Sequence, residues 1–211
     1  MTLNIAVLGI GLMGWPMARH LCEAGHTVHA WNRTQKKAER LAPFGAIVHA
    51  HAADAVRDAD IVVCMLENGT VVGEVLFATD VLQALRTNAL VIDMSSIQPA
   101  QARQHAARLS ARHIDYLDAP VSGGTLGAEQ GTLAIMVGGE ITIFEKARHV
   151  FQPLGKATLV GPQGAGQLAK LANQMIVGIT IGAVAEALLL CEKGGADMAK
   201  IKEAITGGFA D

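Results

Sequence analysis

An open α/β fold, with a mostly parallel sheet covered by helices on both faces, is what three observations in this sequence predict. Apolar β-forming runs alternate with helical patterns from Leu3 to Val160. Ile61 to Leu66 is apolar throughout, as a parallel strand buried on both faces requires. The first strand runs straight into a glycine turn and a helix.

The elements follow in order. Leu3 to Leu8 is a strand, GIGLMG a tight turn and Met13 to Ala24 a helix, ended by Gly25 before a second strand at Thr27 to Trp31. Gly9, Gly11 and Gly14 fit G-x-G-x-x-G, with Leu12 and Met13 between the last two. The first glycine permits the turn, the second lets backbone approach a pyrophosphate, and the third packs helix on strand. Such a spacing alone is weak evidence. Between a strand and a helix it marks a Rossmann-type dinucleotide site.

A unit that prefers NAD usually places Asp or Glu about 20 residues beyond the glycines, on the ribose hydroxyls. That place holds Asn32, Arg33 and Thr34. A carboxylate repels a ribose phosphate, whereas Arg33 can fork onto it and its neighbours can hydrogen-bond it, so NADP is favoured over NAD. Arg33, Lys36, Lys37 and Arg40 also share one side of the next expected helix, where Lys37 and Arg40 read as solvated charges.

Ala46 to His49 is a short strand and Ala52 to Arg57 a short helix. Ligands of open α/β sheets lie outside the carboxyl ends of the strands, so Met65 and Leu66 should line the cofactor cleft. Ala89 to Met94 ends in SSIQP, where Ser96 can cap the helix Pro99 to Arg112 and offer its hydroxyl to the cofactor. After strand Ile114 to Asp118, glycines at 123, 124, 127 and 131 predict a loop with exposed amides. Ser122, Gly123 and Gly124 suit a small carboxylate there. Strand Thr132 to Val137, helix Ile143 to Phe151 and strand Ala157 to Val160 complete the sheet.

GPQGAG then opens a long apolar helix ending before Gly194 and Gly195. Lys170 and Asn173, three residues apart, point to nearly the same side and can reach one small substrate. Beyond Gly178 the helix is apolar nearly all round apart from Glu186, so it should be enclosed by other helices or by another subunit. Asp197 should cap a final helix reaching about Thr206. The expected organisation is a dinucleotide-binding domain over 1–162, an interdomain helix over 163–195, and over 196–211 the start of a helical domain.

Apolar residues make up 51 % and charged residues 17 %, with a net charge of −2, which gives no general reason to bind nucleic acid or an acidic membrane. The longest uncharged run, Leu171 to Ala185, falls short of the ~20 residues that span a bilayer, so the segment reads as a buried helix. Three cysteines without metal or redox spacing favour reduced thiols in a cytoplasmic setting, and the N-terminus lacks the features of a signal peptide. His49 and His51 alternate as on a strand but lack accompanying ligands, so no metal is expected.

Three stretches, GIGLMGWPMARHL at Gly9, DAPVSGGTLGAEQGTL at Asp118 and GAGQLAKLANQ at Gly164, resemble the signatures of the β-hydroxyacid dehydrogenase family. WNRT at Trp31 is similar to its NADP-preferring reductases. The resemblance implies hydride transfer between NADP(H) and a small β-hydroxyacid, semialdehyde or α-keto acid. It implies that Lys170 is the acid/base, that Ser122, Gly123 and Gly124 hold the substrate carboxylate, and that Asn173 orients the substrate. Ser96 stands where many relatives have threonine at the cofactor. Ala172 replaces the histidine of phosphogluconate dehydrogenases, and Lys170 separates the chain from imine reductases. Family members continue through a helical domain, so a short chain implies truncation or completion by a second chain, as a homo-oligomer through the helical region. The rival expectation is a cofactor-binding protein without catalysis that associates through its long helix.

Overall fold

The computed structural model describes residues 2–208, so residues 209–211 of the expected last segment lie outside the described residues. Two compact units result, one ending at Lys170 and one beginning at Leu171. The first unit opens with β1 (Asn4–Leu8), α1 (Gly14–Glu23), β2 (Thr27–Trp31), α2 (Gln35–Glu39), β3 (Ile47–His49), α3 (Ala52–Val56) and β4 (Ile61–Cys64). It continues through α4 (Gly69–Leu76), α5 (Thr79–Ala84), β5 (Leu90–Asp93), α6 (Pro99–Ser110) and β6 (Asp115–Asp118). β7 (Val121–Ser122), α7 (Gly124–Gln130), β8 (Leu133–Gly138), α8 (Ile141–Phe151) and β9 (Gly155–Gly161) lead into α9 (Ala165–Lys193), with α10 (Met198–Ile205) after it.

The sheet runs β3-β2-β1-β4-β5-β6-β8-β7, with β9 also paired to β8. β1 to β6 are parallel, β8 is antiparallel to β6 and β7, and β9 runs parallel to β8. The order turns from leftward to rightward at β1 and β4, which is where a doubly wound sheet opens a crevice for a ligand. Alternation along each strand feeds two cores. One face gathers Ile5, Val7, Met17, Leu21 and Phe151, and the other Leu8, Val62, Leu76 and Leu109. Fully burying a side chain of this size contributes about 1.5–3 kcal/mol.

Several expectations are corrected. β4 ends at Cys64, two residues early, because Met65 and Leu66 leave the strand to form the cleft wall. Residues 119–131 are not an open loop: Val121 and Ser122 pair with β8, and α7 starts at Gly124. Arg33 precedes α2, so it does not share that helix's basic side. Ser96 does not cap α6. That role falls to Gln98, in a capping box with Gln101, whose side chain accepts from the Gln98 N–H at 3.1 Å. His49 meets His29 across β2 and β3, ring nitrogen to ring nitrogen at 3.0 Å, a contact between neighbouring strands.

In the unit beginning at Leu171, Ile176 is 67 % and Leu190 74 % exposed, so among the described residues no helix of the same chain encloses the apolar part of α9; of the two covers expected for it, this corrects the first and leaves another subunit. At 29 residues it is also long and apolar enough, by length and composition, to cross a bilayer. Asp197 caps α10 as expected, accepting from the N–H groups of Ala199 and Lys200.

Candidate active site

The turn between β1 and α1 is shaped by what its glycines permit. Gly9 has φ +106°, and a Cβ there would overlap the Met65 carbonyl oxygen. A Cβ on Gly14 would overlap the Gly9 carbonyl oxygen, whereas one on Gly11 would meet nothing within 4 Å. The turn is therefore packed tight on the sheet side and open at Gly11. No side chain caps α1. Its first-turn amides and its dipole suit an anionic ligand, and the open glycine admits a pyrophosphate, so the residues present fit a dinucleotide.

In front of the turn lies a cleft of about 550 Å³, a size typical of small-molecule sites. It brings together Gly9, Gly11, Leu12, Met13, Gly14, Asn32, Arg33, Thr34, Met65 and Leu66. Asn32 also braces the turn: its Oδ1 accepts from the Ile10 N–H at 3.0 Å and its Nδ2 donates to the Thr34 carbonyl at 3.1 Å. Arg33 and Thr34 are exposed. Lys37, read from sequence as a solvated charge, lines the cleft as well. So do Val71 and Val75 of α4, a helix missing from the sequence reading. Asn68, whose Oδ1 accepts from the Val71 N–H at 3.0 Å, and the i, i+4 spacing of the two valines were the signals for it.

A buried polar cluster sits at the ends of β5 and β6. The Ser95 hydroxyl, not Ser96, accepts from the Leu66 N–H at 2.9 Å, while Ser96 is exposed. Asp93 accepts from the Ser95 N–H at 3.0 Å and from the Tyr116 hydroxyl at 3.3 Å. Burial pushes the Asp93 carboxyl up to about 6 against the pull of these bonds. Between about pH 4 and 6 the folded chain therefore holds a proton that the unfolded chain has released, so this group's contribution to stability falls as pH rises and then stays constant. Asp93→Asn keeps an oxygen for Ser95 and removes the buried charge. Its melting midpoint should exceed that of wild type at about pH 7.5, with a gap that shrinks as pH falls from about 6 to 4. His105, held down to about 4 by burial and by Arg108, titrates in the same window with opposite sign but is common to both proteins. Equal midpoints across the range would contradict the assignment.

The remaining predicted residues stand outside the 550 Å³ cleft. Ser122 is half-buried at the end of β7; Gly123 (φ +130°) and Gly124 (φ +61°) follow, both exposed at the start of α7. Lys170 is half-buried, and burial lowers its pKa below the ordinary lysine value. Asn173 belongs to the second unit, where its Nδ2 donates to the Gln174 side chain at 3.0 Å.

Residues 4–162 match the NAD binding domain of 6-phosphogluconate dehydrogenase, and residues 164–211 the NAD-binding region of NADP-dependent 3-hydroxyisobutyrate dehydrogenase. The chain is 42 % identical over 210 residues to 2-hydroxy-3-oxopropionate reductase of Escherichia coli, covering 99 % of this chain and 72 % of that protein. It is 42 % identical over 205 residues to a probable 3-hydroxyisobutyrate dehydrogenase of Mycobacterium bovis, covering 97 % and 69 %. Among solved structures, Mycobacterium tuberculosis 3-hydroxyisobutyrate dehydrogenase with L-serine superposes with a TM-score of 0.94 at 40 % identity, covering 100 % of this chain and 72 % of that one. The open glycine turn and its cleft thus lie in the stretch that matches a nicotinamide-binding domain, and the chain belongs to the β-hydroxyacid dehydrogenase family of nicotinamide-dependent oxidoreductases.

Proposed function

We propose that this protein interconverts a small carbonyl acid and its hydroxyacid with NADP(H), and that Lys170 is the acid/base. The observation that carries the reading is the open glycine turn at Gly9–Gly14 facing a dinucleotide-sized cleft, in the same compact unit as a half-buried lysine with a lowered pKa. When bound, the nicotinamide supplies the hydride. Ser122 and the amides around Gly123 and Gly124 hold the substrate carboxylate, and Asn173 orients the substrate. Lys170 donates a proton from Nζ to the carbonyl oxygen as negative charge builds there, and recovers it from solvent. An ammonium both stabilises that charge and neutralises it, and the lowering of its pKa by burial eases release of the proton. The names of the relatives, a 2-hydroxy-3-oxopropionate reductase and 3-hydroxyisobutyrate dehydrogenases, support substrates that pair a carboxylate with a nearby carbonyl.

Arg33, with Thr34 and Lys37 on the same cleft lining, supports a preference for the ribose phosphate of NADP. Ser96 is kept as a cofactor contact through its loop, which Ser95 joins to Leu66 at the cleft. The exposed apolar residues of α9 support a homo-oligomer joined through the helical region. They are assigned to protein rather than lipid because residues 164–211 match a dehydrogenase segment along their whole length. Sedimentation velocity checks this, and a monomer at micromolar concentration would contradict it.

The test of the function is NADPH oxidation with glyoxylate, succinic semialdehyde and tartronate semialdehyde. Saturable oxidation with at least one is expected. Tight NADPH binding with no oxidation by any would favour a non-catalytic cofactor-binding protein.

A further inference from the structure

Gln167 is 1 % exposed, and both ends of its amide are in use. Oε1 accepts from the Ile97 N–H at 3.0 Å, and Nε2 donates to the Ser95 carbonyl at 2.8 Å. These partners lie on either side of Ser96. Because the Ser95 hydroxyl accepts from the N–H of Leu66, a residue of the cleft, the contacts run without a break from the cleft to the first turns of α9.

Asp118 grips the same turns from the other side. Its Oδ1 accepts from the Gly164 N–H at 2.7 Å and its Oδ2 from the Gln167 N–H at 2.9 Å. It ends β6, and the chain then passes through Ala119 and Pro120 to Val121 and Ser122. Contact is close: a Cβ on Gly166 would overlap the Met136 carbonyl oxygen. Lys170 follows Gln167 by three residues, about 4.5 Å along the axis, so any slide or rotation of this turn carries Lys170 with it.

Apolar packing would hold the helix against the sheet but would tolerate small shifts. Directional bonds to a buried carboxylate and a buried amide do not, because each lost partner leaves a desolvated polar group. Burying Asp118 is itself costly, and burial pushes its carboxyl up while the amides of Gly164 and Gln167 pull it back.

We infer that Gln167 and Asp118 are positioning residues, which set Lys170 at a fixed place relative to the Ser96 loop at the cofactor and the Ser122 segment at the substrate. The inference rests on the proposed role of Lys170. Neither residue touches the reacting atoms. Gln167 couples the lysine to the cofactor side and Asp118 couples it to the substrate side.

The test uses Gln167→Leu and the milder Gln167→Asn, whose amide is one methylene too short, in the full chain. NADPH titration counts binding sites, and kcat is expressed per site. A drop of about 10–100-fold in kcat per site, with NADPH Kd within about twofold of wild type, is expected for Gln167→Leu. If Gln167→Leu does not fold, the same drop is expected of Gln167→Asn. A purely structural role would instead lower the number of binding sites and leave kcat per site unchanged, which would overturn the inference. A second readout is independent of turnover: the pH midpoint for reductive methylation of Lys170, followed by peptide mass spectrometry with Lys156 as internal control. It should rise toward the ordinary lysine value in the variants as burial is relaxed. A wild-type chain that binds NADPH but reduces no substrate would defeat the proposed reaction while this midpoint still tests the tether. A midpoint equal to wild type in a folded variant would overturn the tether.

Discussion

Lys170→Met should lower kcat by about 10²–10⁴-fold and leave NADPH affinity within about twofold of wild type. The size follows from the role. Without a positioned acid, the alkoxide that forms as hydride arrives must take its proton from water and is stabilised by no cation, and both losses fall on the transition state. Methionine keeps most of the length and apolar stem of lysine, so its packing is the conservative one at a half-buried position. Substrate KM should rise modestly, since the ammonium also attracts the carboxylate. The split is diagnostic: a large loss in kcat with cofactor binding intact assigns Lys170 to the chemical step, whereas equal losses in kcat and NADPH binding would assign it to folding. Turnover at the wild-type rate would end the assignment.

Arg33→Asp should shift the ratio of kcat/KM for NADPH over NADH by roughly 10–100-fold toward NADH. A hydrogen bond to a charged group contributes about 1.5–3 kcal/mol, which is about one to two decades in affinity. Replacing the guanidinium by a carboxylate adds repulsion of the ribose phosphate. Arg33 is exposed, so salt screens the interaction and the shift should be largest at low ionic strength. Lys37 lines the same cleft and would retain part of the phosphate affinity, so Arg33→Ala should give a smaller shift than Arg33→Asp. An unchanged ratio would make Arg33 a surface charge.

The parts of the fold legible in the sequence were those set by local chemistry. Gly9 and Gly14 had to be glycine because a side chain at either would strike backbone, and that constraint shows as a spacing. Ile61 to Cys64 is apolar at every position because the strand is buried on both faces, so its place in the parallel sheet could be read directly. Asp197 caps α10 through its own next turn, again a local matter.

What was missed depends on partners distant in sequence or on competition between neighbours. Gln167 meets Ser95, 72 residues away, and Asp118 meets Gly164, 46 residues away; no local pattern announces either pair. Ser95 and Ser96 are chemically identical and adjacent, and only the alternation of buried and exposed positions after β5 decides which faces Leu66. Glycines 123, 124, 127 and 131 read as a loop because glycine disfavours helix, yet α7 forms, with Gly127 and Ala128 buried on its inner side. In α9, an apolar surface all round signals that something covers it, but hydrophobicity carries no information about whether the cover is the same chain.

Transfer of deuterium from NADPH deuterated at nicotinamide C4 to the substrate, followed by mass spectrometry of the hydroxyacid product, tests the central claim most directly. With the stereoisomer that places deuterium on the transferred side, the account predicts a product one mass unit heavier for at least one of glyoxylate, succinic semialdehyde and tartronate semialdehyde, and loss of that product in Lys170→Met. NADPH that binds and stays reduced with all three, or a product that forms without the label from either stereoisomer, would contradict it.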